Sequence, residues 1–111
     1  MSLISIEIED EWIKTAQWFG NIKDFITEAL KSYSVEQCIS HIKNISAKIA
    51  VYNKKYLCNY ETFTNAVQTD KEFLMKIESQ NPLWEEDAME WEYWLEEYRA
   101  WQNRLEVILQ Q

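Results

Sequence analysis

Apolar positions along this chain fall first at intervals of two, then at intervals of three and four. Residues 3–8 alternate, with Ile4, Ile6 and Ile8 on one side and Ser5 and Glu7 on the other. Period two predicts a short N-terminal β-strand. The rest of the chain offers it no obvious partner, so it reads as an edge, a helix lead-in, or a strand that pairs with another chain.

From Glu9 to Tyr33 the pattern turns helical. Trp12, Ala16, Phe19, Ile22, Ile26, Ala29 or Leu30, and Tyr33 recur on one face. Gly20-Asn21 interrupts the stripe without changing its phase, which predicts either two helices or one kinked helix. Ser34 with Gln37 has capping-box spacing and predicts a new start. Val35, Cys38, Ile42, Ile45, Ile49, Tyr52 and Tyr56 then follow at helical spacing. A competing reading makes 48–62 a β-hairpin, because the segment is rich in β-branched and aromatic residues. Helix takes precedence, since the stripe keeps its phase through the supposed turn.

Phe63, Val67, Phe73 and Ile77 continue the pattern, and Thr69 with Glu72 predicts a restart between them. Ser79-Gln80-Asn81-Pro82 marks the clearest stop, with Asn81 as cap and Pro82 at the first helical position. The final helix, Pro82 to about Leu109, repeats Trp84, Trp91, Tyr98 and Leu105 every seven residues. Trp94, Trp101 and Ile108 form a second series offset by three, giving a stripe wide enough for a bundle. The expected fold is mainly α: one domain over 1–111, a small antiparallel bundle of about four helices.

Composition agrees with a folded helical chain. Of 111 residues 47% are hydrophobic, too many for a disordered chain. One Gly and one Pro leave few turn breakers for an all-β fold. No run approaches the roughly 18 apolar residues of a membrane span. The N-terminus lacks the basic and apolar regions of a signal peptide, so the expected location is the cytoplasm, its own cell's or a host's.

Charge changes the picture more. The formal net charge is −8, the wrong sign for neutralising phosphates, so direct nucleic-acid binding is not expected. The acidity is concentrated. Residues 85–97 hold seven acids and no base, and residues 7–11 hold four acids, while the stretch between has more lysines than acids. On a helical projection Glu85, Glu86, Glu90, Glu92, Glu96 and Glu97 lie opposite the Trp stripe, with Tyr93 among them. Asp87 falls inside the apolar arc, near enough to the helix start to meet its dipole. Carboxylates four apart on a helix stand roughly 6 Å from each other, comparable to phosphate spacing. The face therefore reads either as a solvated surface or as a docking face for a basic groove, with Tyr93 as anchor.

Catalytic chemistry has little to start from. His41 is the only histidine and Gly20 the only glycine, so a two-histidine metal site and a glycine-rich phosphate loop are both absent. Cys38 and His41 are near in sequence but lack an identifiable third group. If Cys38 and Cys58 share one helix, about 30 Å separates them, too far for a disulfide. No cofactor and no enzymatic activity are expected. The leading expectation is a binding protein that inhibits a basic, nucleic-acid-processing protein: an immunity protein, an antitoxin, or a phage anti-defence or anti-CRISPR protein acting as a nucleic-acid mimic. Its site residues are Glu85, Glu86, Glu90, Glu92, Tyr93, Glu96 and Glu97. The alternative is a structural or assembly subunit, or a chaperone-like adaptor, that binds through apolar surface; a homodimer is its simplest form.

Overall fold

A computed structural model describes residues 2–111. Five helices make up its regular structure: α1 (Asp10–Gln17), α2 (Ile22–Tyr56), α3 (Tyr60–Thr69), α4 (Lys71–Gln80) and α5 (Trp84–Leu109). The all-α expectation holds, and no hairpin forms at 48–62. Residues 3–8 are not a strand. They run exposed and without regular structure, because the described chain offers no second strand to pair with them.

The helix starts differ from the capping-box readings. Ser34 lies inside α2, and nothing between Ile22 and Tyr56 supplies a glycine or proline to end it. The caps used are Asn21, Asn59 and Asp70, whose side chains accept from backbone N–H groups in the first turns of α2, α3 and α4. Asp70 thus does the work expected of Thr69. Asn81 closes α4 instead of capping α5, and Pro82 lies in the turn before Trp84. Gly20, at φ +122°, turns the chain between α1 and α2, a conformation L side chains rarely adopt. Leu57 ends α2 in the left-handed region at φ 58°, where glycine is usual.

α2 and α5 pair antiparallel along most of their length. The register is marked by Lys55 against Asp87, Lys48 over the Trp94 ring, His41 stacked on Trp101, and Lys31 donating to the Gln111 carbonyl. α3 and α4 fold across one end to complete a head, whose core is Tyr56, Phe63, Ile77 and Trp91. Beyond the head only two helices remain. α1 packs on the start of α2 at the far end.

The molecule is therefore elongated, with extents of 68 × 26 × 20 Å and a radius of gyration of 22.1 Å. A compact domain of this length has about 13 Å. The compact four-helix bundle expected from the stripes is corrected on this point. A hydrophobic stripe requires cover, but it does not say how many helices of the same chain supply that cover.

Candidate functional site

The acidic half of α5 is held by the head. Trp91 is completely buried and surrounded by the rings of Tyr52, Tyr56, Tyr60 and Phe63, with centroids 5.3 to 5.8 Å away. Such offset and edge-on contacts add to the area the rings bury. They fix the rotation of α5, and with it the direction in which its carboxylates point.

Those carboxylates divide into two groups. Three of them meet tyrosine hydroxyls from neighbouring helices. Tyr56 donates to Asp87 Oδ2 at 2.5 Å, Tyr52 donates to Glu90, and Tyr60 donates to Glu92 Oε2 at 3.3 Å. Lys55 Nζ also reaches Asp87 Oδ2, at 2.6 Å, forming the one ion pair among the described residues. Asp87 is thus bound across the helix interface rather than by the helix dipole alone. Its place in the apolar arc is explained: that arc faces α2.

The tyrosines titrate accordingly. Burial, then the Glu90 hydrogen bond and charge, push Tyr52 from 10.0 up to about 12. Burial and Asp87 push Tyr56 higher still, and burial with the Glu92 charge raises Tyr60. For Asp87 burial acts upward, but the hydrogen bonds from Lys55 and Tyr56 outweigh it and hold the carboxyl below its ordinary value.

The second group faces solvent. Glu85, Glu86 and Glu96 are exposed and have no ion-pair partner among the described residues. Glu97 is half-buried. Tyr93 is half exposed and rests edge-on against Trp94, whose ring also carries the Lys48 ammonium at 3.8 Å. Of the seven residues expected to form one docking face, Glu90 and Glu92 also bond to the head's tyrosines, Glu85, Glu86, Tyr93 and Glu96 are exposed, and Glu97 is half-buried. Sequence reasoning missed Tyr52, Lys55 and Tyr60 at the edge of this face. The signal was present in the odd position of Asp87 and in the tyrosine spacing of α2.

Elsewhere the surface carries apolar patches among polar residues. Open grooves flank the two-helix section on both sides. One, of about 550 Å³, is lined by Tyr33, Cys38, Trp101, Val107 and Ile108. The other, of about 650 Å³, is lined by Ile39, Ile42, Leu105 and Leu109. Trp12, Phe19 and Leu30, which the sequence pattern places on the apolar face of the first helices, are exposed, and so is Trp18. Cys38 is buried within α2, while Cys58 lies in the turn after it; both are free thiols, and burial raises Cys58. No group of His, Cys, Asp and Glu among the described residues is placed to hold a metal ion, and no helix is long and apolar enough to cross a membrane.

Comparison with family models, with curated proteins and with solved structures gives no match for this chain.

Proposed function

We propose that this protein is a non-enzymatic binder that docks the acidic face of α5 against a basic protein and blocks it. The observation that carries this reading is the set of exposed carboxylates of Glu85, Glu86 and Glu96 on a helix whose orientation the buried Trp91 fixes. A chain with nine lysines leaves these acids without ion-pair partners among its described residues. The like-charge pairs four apart on this face, Glu86/Glu90 and Glu92/Glu96, each cost a few tenths of a kcal/mol. The head holds the array in place before binding, so little ordering entropy is lost when a partner arrives. Tyr93 is the anchor at its centre.

A groove built for a nucleic-acid strand is the partner surface that fits such an array, because it presents cations at similar spacing. The proposed class is therefore an antitoxin, an immunity protein or an anti-defence protein directed at a nuclease or a nucleic-acid-binding complex. The test is Glu85, Glu86 and Glu96 all changed to Lys, assayed against partners captured from native lysate. The expected loss of affinity is about a hundredfold at low salt, with much of the wild-type salt dependence gone. Unchanged affinity in the folded variant would sink the reading.

A further inference from the structure

We propose that residues 2–9 and α1 form the surface through which two copies of this chain join about a two-fold axis, their N-terminal arms pairing as antiparallel strands. Three observations converge on it.

The first is area. The chain exposes 9218 Å². A compact monomer of 13.4 kDa exposes about 6,500 Å². The excess is several times the roughly 800 Å² that each partner contributes to a standard interface. Much of the exposed apolar surface lies at one end: Ile4 and Ile6 in the arm, Trp12 in α1, Trp18 and Phe19 after it, and Leu30 in α2; the head exposes Leu57, Met75, Leu83 and Met89 as well. Ile4 is 85% exposed and Trp18 79%. α5 ends level with Lys31, so the start of α2 projects beyond its only long partner.

The second is the pattern of the arm. An alternating Ile4, Ile6, Ile8 series has one apolar face and two rows of backbone donors and acceptors that no described strand meets. A second copy supplies that strand. Antiparallel pairing centred on Ile6 sets Ile4 opposite Ile8 and Ile6 opposite its own counterpart, all on one face. A slip of one residue would set isoleucine against Ser5 or Glu7. Two strands alone are marginal in water, and the exposed aromatics of Trp12, Trp18 and Phe19 lie next in sequence to receive their apolar face.

The third is charge. In this antiparallel register the two Glu9 residues lie about 20 Å apart along the ribbon, beyond the screening length of about 8 Å at physiological salt, and only the two Glu7 residues, about 7 Å apart, stay within it. A parallel pairing would bring the acids of residues 7–11 together. The acidic half of α5 is at the opposite end of a molecule 68 Å long, so the two heads stand apart.

The experiment is light-scattering mass measurement of the full chain over a hundredfold concentration range, with amide hydrogen exchange read in parallel. Expected is a mass twice the 13.4 kDa of one chain, with protection alternating along residues 3–8. Ile6→Asp sets two carboxylates against each other across the axis. It should weaken association at least tenfold and abolish the arm's protection, while helical circular dichroism persists because Ile6 is outside the head core. Tyr93→Asp should leave the dimer intact. A wild-type mass of one chain at every concentration would overturn the proposal and assign the apolar end to a different protein. A dimer that Ile6→Asp leaves unchanged would overturn it equally.

Discussion

Asp87 shows how a single acid can be read two ways. Its sequence position suggested a dipole contact, and the structure gives it Lys55 and Tyr56 as partners as well. That difference has a pH consequence. A carboxyl held below its unfolded value adds stability that is present above about pH 4 and lost as pH falls through the lower folded value. Tyr52 works in the opposite direction. Its folded value, raised to about 12, adds stability that is complete below about pH 10 and lost as pH rises toward 12. Thermal unfolding across pH should therefore show a plateau with an alkaline fall above pH 10, and Tyr52→Phe should blunt that fall. A fall that begins near neutrality would contradict the tyrosine–carboxylate contacts.

Two further residues set the strength of the head. Trp91 is the central ring of the cluster and is fully buried, so Trp91→Ala should cost about 3–5 kcal/mol in denaturant unfolding. Leu57 holds a left-handed backbone with its side chain exposed. Leu57→Gly should stabilise the protein by about 0.5–1 kcal/mol, because the steric penalty for an L side chain is larger than the entropy glycine loses. Loss of stability in that variant would mean that the Leu57 side chain does more than end the helix.

At the scale of the element, legibility followed the breakers and the caps. Gly20-Asn21 and Asn81-Pro82 were visible as boundaries because glycine, asparagine and proline have few other uses inside helices. α5 was legible almost to its ends because its tryptophans repeat every seven residues. α2 was not, since Ser34 imitates a cap while sitting inside an unbroken 35-residue helix. The α2–α3 turn was also hidden, because Leu57 occupies a position that glycine usually marks. Its real signal is Asn59, whose Oδ1 accepts from the Thr62 N–H at 2.8 Å. Asn59→Ala should lower stability by about 1 kcal/mol and fray α3. Ser34→Ala should show no capping loss, and a loss as large as that of Asn59→Ala would contradict the continuous helix.

The whole molecule was the least legible level. Stripes of apolar residues announce buried faces, but here the head buries one set and leaves the others along a two-helix section and an open N-terminal end. Nothing in a single chain's periodicity distinguishes a face covered by its own helices from a face reserved for another molecule. The acidic surface was legible as a surface, since charge position needs only helical phase. Its division into carboxylates bound by tyrosines and carboxylates facing solvent needed the α2–α5 register.

The exposed carboxylates lie on the head, which also exposes Leu57, Met75, Leu83 and Met89, and the proposed binding mode brings these carboxylates against a basic partner. The most direct test is capture of partners from native lysate by the tagged protein, at low and at high salt, with the eluted proteins identified by mass spectrometry. Expected is a basic nuclease or nucleic-acid-binding complex, held at low salt and released at high salt, because exposed ion contacts are screened. Capture of copies of this chain alone, or only of a different protein retained in high salt, would contradict that and make the acidic face a solvated surface only.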